Sequence, residues 1–396
     1  MGNVADRKTS RELERLLEKA RKLLGDLHFG YVSKWKKRDP TRRVIGYFPI
    51  YVPREIIHAA GMLPVGIFGG GDRIQVVKGD AYFQSYICHL PRSVIEMALD
   101  GHFDDFDGFI FPAICDVIRN LSGIFRIEFP DRFIQYLDFP QNFSSDVGGK
   151  FLTESLREFQ DQLHELSGAE ESAEKLNHSI SLYNENRRLV NQFIEGRSLE
   201  PWKISATDFY AVLRAGYVMD PEEHNDFLTG IMAHLREVDH QPEDRIRVII
   251  SGAFCEQPPM GLIRTIENAG CYIVGDDFQL GCFWIDGDID DASEDPLQAL
   301  AEAYVRQATF SSSVYDGNGS KGIHLAELAR KRGADGVIFC APSFCDPALL
   351  DQPELEKALD RGHMKHLSFQ YHENLGQFKV IKEQVGTFSD SIKLWE

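Results

Sequence analysis

The chain has 396 residues, of which 43% are hydrophobic and 26% charged, and its formal net charge is −18. This length leaves room for two domains with substantial cores, and the composition is that of a soluble globular protein. The negative charge disfavours nucleic acid as a partner, no apolar run is long enough for a membrane span, and the first residues do not resemble a signal peptide, so we expect a cytoplasmic protein.

The first 150 residues predict one helix followed by an α/β domain. Leucines recur at helical spacing over residues 9–38, which predicts an amphipathic helix. We therefore predict an N-terminal helical segment at residues 1–40 and the first α/β domain at residues 41–148. Strands are expected at 44–48, 63–68, 107–111 and 133–139. The glycines at 69–71 could let a backbone approach a phosphate, but no Gly-Lys-Ser/Thr follows, and a plain turn is the favoured interpretation.

The remaining chain predicts a helical connector and a second α/β domain. Residues 149–240 show helical periodicity without a strand signal, and we expect them to pack on the first domain. In residues 241–396, strands are expected at 247–252, 271–274, 335–339 and 367–371, alternating with helices. Strict alternation predicts two doubly wound, mainly parallel sheets joined by the helical segment.

One short pattern occurs in both halves. Asp107-Gly-Phe-Ile-Phe leads through a short loop to Cys115-Asp116, and Asp335-Gly-Val-Ile-Phe leads likewise to Cys345-Asp346. Ligands of open α/β sheets bind at the carboxyl ends of the strands. We therefore expect the two halves to present a cysteine from equivalent places, with their loops facing each other.

The seven cysteines leave three interpretations open. Disulfides are not expected in a cytosolic protein, and a single cysteine is most often a small buried hydrophobe. Four cysteines, however, are predicted in loops just past strands: Cys115, Cys255, Cys340 and Cys345. Structural zinc typically uses two cysteine pairs, and only Cys340 and Cys345 make one. An iron–sulfur cluster could use thiolates from separate loops, although the usual ferredoxin spacing is absent.

Over almost its whole length the sequence resembles the benzoyl-CoA reductase and 2-hydroxyacyl-CoA dehydratase family. The general family marks are the run from Pro53 to Pro64, the Cys88 segment, Cys115-Asp116 and Phe344-Cys345-Asp346-Pro347. Other stretches look like the smaller (C or gamma) substrate-binding subunit of the ATP-dependent reductases: 85–88, 111–122, 252–259, 336–347 and 377–395.

The resemblance implies a cofactor, a reaction and partners. Family members pair two related subunits, each holding a [4Fe-4S] cluster on three cysteines, which match Cys88, Cys115 and Cys345, with Cys340 and Cys255 as secondary candidates. The implied reaction is the two-electron, dearomatising reduction of benzoyl-CoA to a cyclohexadiene-carbonyl-CoA in anaerobic aromatic degradation. Implied partners are a homologous larger subunit, two ATPase activator subunits that alone bind ATP and Mg²⁺, and a low-potential ferredoxin.

Candidate proton donors adjoin the cysteines of these loops. They are His89, Asp116 and Glu256, for each of which hydrogen bonding to the loop backbone is the simpler role; Asp116 could also cap a helix. Two other functions stay open: a subunit of a 2-hydroxyacyl-CoA dehydratase, which is a radical lyase, or a non-catalytic partner that shapes the CoA site. The residues that contact CoA cannot be identified from the sequence.

Overall fold

The computed structural model describes residues 4–253, 259–278, 284–372 and 377–394. This part of the chain forms two four-stranded sheets with helices around them, and every strand pair is parallel. The predicted α/β class is confirmed. The strands are β1 (Arg43–Tyr47), β2 (Met62–Gly66), β3 (Gly108–Pro112), β4 (Phe133–Leu137), β5 (Ile246–Ser251), β6 (Cys271–Asp276), β7 (Gly336–Pro342) and β8 (Lys365–Tyr371).

The helices connect these strands and fill the segment between the sheets. They are α1 (Val4–Gly25), α2 (Gly30–Lys36), α3 (Arg54–Ala59), α4 (His89–Leu99), α5 (Asp116–Glu128), α6 (Lys150–Ser167), α7 (Ala173–Leu199), α8 (Ala206–Ala215), α9 (Pro221–Arg236), α10 (Met260–Asn268), α11 (Pro296–Gln307), α12 (Ser320–Lys331), α13 (Asp346–Arg361) and α14 (Phe378–Lys393).

The two sheets have the same strand order. It is β2-β1-β3-β4 in the first sheet and β6-β5-β7-β8 in the second. In each sheet the second strand in sequence lies on one side of the first strand, and the third and fourth strands lie on its other side. The switch point lies between β1 and β3 in one sheet and between β5 and β7 in the other, and such crevices are where ligands of doubly wound sheets bind.

The repeated aspartate has the same structural role in both halves. Asp107 accepts a hydrogen bond from the Val44 amide at 2.8 Å, and its own amide donates to the Val44 carbonyl at 2.8 Å. Asp335 accepts from the Arg247 amide at 2.6 Å and donates to the Arg247 carbonyl at 2.7 Å. Each aspartate therefore fixes the start of the third strand of its sheet against the start of the first strand.

The core of the first sheet includes residues from far along the chain. Trp284, Leu300 and Tyr304 are buried with the side chains of β1 and β3. The Tyr304 ring lies 5.5 Å from that of Tyr51 and 5.3 Å from that of Phe139, measured between centroids. The segment 284–314 thus lies between two elements of the second sheet in sequence but packs on the first sheet in space.

Two expectations need correction. The single helix predicted over 9–38 is two helices, because the Asp26 carboxylate accepts from the amides of His28 (3.1 Å) and Gly30 (2.7 Å), and Phe29 has a left-handed backbone with φ 50°. The helical segment does not pack on the first half alone. Helix α7 contacts α3, whereas α8 contacts α10 and lies in the core of the second sheet.

Candidate active site

Cys115 lies at the carboxyl end of β3 and is the residue before α5. Its backbone is extended, with φ −165°, and the amides of Val117 and Ile118 lie close enough to its sulphur to affect the thiol's pKa. Burial raises the pKa of the Cys115 thiol, the two amides lower it, and the charges of Asp116 and Asp346 raise it again, so that the net shift is upward. A thiolate here needs a positive partner, which a bound metal ion would supply.

Cys345 occupies the equivalent place after β7. It is the residue before α13, is 6% exposed, and packs against Ala253, Ala341 and Ala348. The residue before it, Phe344, has a left-handed backbone with φ 65° and a side chain that is 44% exposed. A positive φ is unfavourable for a bulky residue, so the turn that presents Cys345 is strained.

Cys88 is the residue before α4, at the end of the long loop that follows β2. The loop is held to α4 by the buried Glu96 carboxylate, which accepts from the amides of Val77 at 2.8 Å and Gly79 at 2.7 Å. All three cysteines thus immediately precede a helix, where the first backbone amides are not used within the helix and favour negative charge.

Contacts between the two halves bring these loops near one another. Asp346, next to Cys345, is close enough to Cys115 for its charge to raise the thiol's pKa. His89, next to Cys88, lines a cavity of about 550 Å³ together with His372 from the end of β8. The His372 ring is 3.2 Å from the Ser343 hydroxyl, two residues before Cys345. We refer to this space as the histidine cavity.

Three protein thiols suit an iron–sulfur cluster better than a single metal ion. Within the described ranges, no group of three or more His, Cys, Asp or Glu side chains is arranged to hold one ion. A cluster places its thiolates on different iron atoms and so accepts sulphurs that are farther apart. Soft thiolate donors from separate loops are the ligands that such clusters use, and hydrogen bonds and burial tune them. The donor set therefore fits this group.

The other cysteines have different surroundings. Cys340 was expected in a loop, but it lies inside β7, fully buried and paired in register with Phe369. Burial raises its pKa far above the usual range, with Asp277 and Asp276 adding to the effect. Cys271 opens β6 as expected, and burial raises its pKa to about 12. Cys255, Glu256 and Cys282 lie outside the described residues.

The remaining proton-donor candidates occupy distinct positions. His89 is half-buried at the histidine cavity, whereas Asp116 is exposed in the first turn of α5. The expectation that Asp116 caps this helix is wrong, because Cys115 takes the cap position and the Asp116 side chain begins one residue inside the helix. An acidic residue there still interacts favourably with the helix dipole.

Sequence reasoning missed three side chains at strand ends. His372 directly follows β8, and the rule that strand ends carry ligands could have identified it. Asp276 ends β6 and Asp277 follows it, and burial raises their pKa values to about 6 and about 7. Asp277 accepts from the Ser251 hydroxyl at 2.5 Å and from the Gly252 amide at 3.0 Å, which fixes the loop that leads to Ala253 beside Cys345.

None of the described helices combines the length and apolar character that a membrane crossing requires. Comparison with known proteins finds relatives that match over most of the chain. The chain is 48% identical to the C subunit of benzoyl-CoA reductase from Thauera aromatica, over 96% of its own length and 98% of that protein. It is 27% identical to the beta subunit of (R)-phenyllactyl-CoA dehydratase from Clostridium sporogenes, over 91% of this chain and 95% of the relative.

A third relative is the beta subunit of (R)-2-hydroxyglutaryl-CoA dehydratase from Acidaminococcus fermentans, 29% identical over 91% of this chain and 95% of the relative. The family model described as 2-hydroxyglutaryl-CoA dehydratase, D-component, matches residues 49–392. That range contains every described strand except β1, and the three helix-preceding cysteines. The chain therefore belongs to the 2-hydroxyglutaryl-CoA dehydratase D-component family, as the resemblance in its sequence predicted.

Proposed function

We propose that this chain is a C-type, substrate-binding subunit of an ATP-dependent benzoyl-CoA reductase. The observation that carries the proposal is the 48% identity to the C subunit of benzoyl-CoA reductase over 96% of the chain. In the reaction, two electrons and two protons are added to the benzoyl ring, giving a cyclohexadiene-carbonyl-CoA. The chain would act with a homologous larger subunit, two ATPase activator subunits and a low-potential ferredoxin, in the cytoplasm.

Cys88, Cys115 and Cys345 would hold a [4Fe-4S] cluster between the two halves. When bound, such a cluster supplies electrons at a low potential, which this protein environment would tune through hydrogen bonds and burial. The amides of Val117 and Ile118 are positioned to stabilise the negative charge on the Cys115 sulphur. The sequence contains no Gly-Lys-Ser/Thr phosphate-binding loop, so ATP hydrolysis is assigned to the activator subunits.

Protons would come from side chains at the histidine cavity. His89 is adjacent to Cys88 in sequence, and His372 lies beside Ser343, so that each histidine accompanies one of the cysteine loops. Imidazole is the side chain whose ordinary pKa is nearest to neutrality, which makes it an efficient proton donor. Asp116 and Glu256 remain further candidates, the latter outside the described residues.

The first test is iron and sulfide quantitation with electron paramagnetic resonance, on this chain co-expressed anaerobically with its partner subunits. We expect Cys88→Ala, Cys115→Ala and Cys345→Ala each to remove about one cluster's iron from the complex. Cys271→Ala is the matched control, because Cys271 is buried in β6 away from the three loops and should leave iron unchanged. Cys340→Ala tests the secondary candidate and should also leave iron unchanged.

A second candidate function is supported by the relatives at 27% and 29% identity, which are 2-hydroxyacyl-CoA dehydratase subunits by name. The same anaerobic complex should be assayed with benzoyl-CoA and with a 2-hydroxyacyl-CoA. Dehydration of the hydroxyacyl thioester without reduction of benzoyl-CoA would replace the reductase assignment by the lyase. A colourless wild-type chain whose iron content is unaffected by the cysteine changes would instead favour a non-catalytic subunit that shapes the CoA site.

A further inference from the structure

A second cavity, of about 420 Å³, adjoins the histidine cavity. It lies between the glycine loop after β2, the end of α1, the α8 helix and the start of α10. Gly71, Asp72 and Arg73 line both cavities, so the two spaces are separated only by this loop. The two cavities adjoin at this loop, and the first is also lined by His89, the residue after Cys88. We refer to the second cavity as the arginine groove.

The arginine groove concentrates positive charge in an acidic protein. Four arginines and two aspartates line it, in a chain whose formal net charge is −18. The lining arginines are Arg21, Arg73, Arg214 and Arg264, and the aspartates are Asp72 and Asp208. Arg21 binds Asp208 at 2.6 and 3.0 Å, which cancels that pair of charges. Arg73 and Arg264 alone therefore outnumber the one remaining carboxylate of the lining, Asp72.

Two of these arginines have guanidinium groups that no carboxylate engages in the described part of the chain. Arg264 makes neither a hydrogen bond nor an ion pair with any described residue. Arg73 donates to the carbonyls of Gly25 at 2.8 Å and Leu24 at 3.0 Å, bonds that orient its side chain without neutralising it. Guanidinium groups of this kind bind phosphate oxygens in bidentate fashion.

The walls of the groove also suit a nucleotide. The Arg214 guanidinium lies 4.0 Å from the centroid of the Phe68 ring, which gives a flat, polarisable surface for a base. Gly69 has φ 70°, and the Gly70 amide donates to the buried Ser93 hydroxyl at 2.6 Å. This bond fixes the glycine loop, and at Gly71, which lines the groove, no other atom lies within 4 Å of where a Cβ would be. The first residues of α10 add the positive end of a helix dipole.

From these contacts we propose that the arginine groove binds the phosphorylated nucleotide end of an acyl-CoA, with the thioester end in the histidine cavity. The choice of acyl-CoA rests on the proposed function, whereas the phosphate chemistry rests on the arginines alone. The glycine cluster, for which a plain turn was the favoured interpretation, then has a second role. It is the wall past which the pantetheine arm would run from the arginines toward Cys88.

The test is isothermal titration calorimetry of the full chain, with coenzyme A, 3′-dephospho-coenzyme A and pantetheine as separate probes. Because hydrogen bonds to charged groups contribute about 1.5–3 kcal/mol, Arg264→Gln should weaken coenzyme A binding by at least about tenfold. Pantetheine, which lacks the nucleotide phosphates, should bind the variant and the wild type equally. Arg264→Lys should restore part of the affinity by returning the charge.

Arg236→Gln is the matched control. Arg236 is also an exposed arginine without a hydrogen bond or ion pair to any described residue, but it ends α9 and does not line the groove. It should bind coenzyme A like the wild type. Arg73→Gln should weaken binding as Arg264→Gln does, and raised salt should weaken the wild type more than either variant. Equal affinity of the wild type and Arg264→Gln for coenzyme A would overturn the proposal, as would no binding by the wild type.

Assays of the anaerobic complex separate this proposal from the proposed function. Reduction of benzoyl-CoA with an unchanged KM in Arg264→Gln would refute the groove and leave the reductase assignment intact. Arg264-dependent binding of coenzyme A in a complex that reduces no benzoyl-CoA would support the groove and refute the reductase. Arg264-dependent binding of ADP as tight as that of coenzyme A would refute an acyl-CoA site and indicate a site for a free nucleotide.

Discussion

The buried ion pair between Glu55 and Arg187 should be essential to the stability of the first half. Glu55 belongs to the family mark that runs from Pro53 to Pro64, and its Oε1 accepts from Arg187 Nη1 at 2.7 Å. The two side chains are 1% and 2% exposed, and they join α3 to α7. We predict that Arg187→Met strongly destabilises the fold, because it leaves the Glu55 carboxylate buried without its charged partner.

The magnitude follows from Coulomb's law. Charge centres roughly 4 Å apart attract by about 4 kcal/mol at an effective dielectric constant near 20, and removing one member of a buried pair costs about 3–5 kcal/mol in measured cases. Arg187 also hydrogen-bonds to Asn184, but the Asn184 side chain keeps its bonds to Ile289, at 2.8 and 2.9 Å. The loss should therefore come mainly from the ion pair.

Urea unfolding at pH 7, followed by tryptophan fluorescence, measures this loss. The control is the double variant Glu55→Leu/Arg187→Met, which removes both charges and should be more stable than Arg187→Met alone. Arg188→Met is a second control, because the Arg188–Asp288 pair is about half exposed and should contribute at most about 1 kcal/mol. A loss below about 1 kcal/mol for Arg187→Met, or a double variant as unstable as the sum of the singles, would refute the reasoning.

Two further predictions concern stability. Burial raises the pKa of Asp277 from 3.8 to about 7, so the stability it contributes is fully present below pH 4 and is lost as the pH rises through about 7. Asp277→Asn should therefore lose less stability than the wild type between pH 4 and pH 8 in urea titrations, and parallel pH profiles would contradict this. Gly46→Ala should destabilise by about 1–3 kcal/mol, because the new methyl group would lie 2.6 Å from Ile67 and 2.8 Å from Phe109. Gly123→Ala in α5 meets nothing within 4 Å and should stabilise by about 0.5–1 kcal/mol, as thermal melts of the two variants can show.

The strands and their parallel arrangement were predictable because buried parallel strands have a strong sequence signal. Short apolar runs between helical patterns indicated all eight described strands, and the repeated Asp-Gly-x-Ile-Phe indicated that β3 and β7 are equivalent. The pattern has a local physical cause, since each aspartate bonds to the second residue of the first strand in its sheet. A structural role that one residue performs locally can therefore be recognised as a sequence pattern.

What could not be predicted depends on contacts between distant residues. The break between α1 and α2 comes from the Asp26 side chain, which leucine periodicity does not register. His372 and Arg264 belong to the second half of the chain but line cavities together with the loop after β2 in the first half. Their positions therefore depend on how the two halves pack. Cys340 was placed in a loop because the strand was expected to end at Phe339, whereas the pairing of β7 with β8 extends to Pro342.

The packing of residues 284–314 on the first sheet has a consequence for synthesis on the ribosome. Nascent domains fold as they emerge, amino-terminal part first. Here the first sheet cannot complete its core until Trp284 and Tyr304 have been synthesised, when about three quarters of the chain has been made. Until then, apolar side chains such as Tyr51 and Phe139 lack their cover. A truncated chain of residues 1–240 would keep that surface exposed and should aggregate, so the shortest expression unit for the first half must run past residue 314.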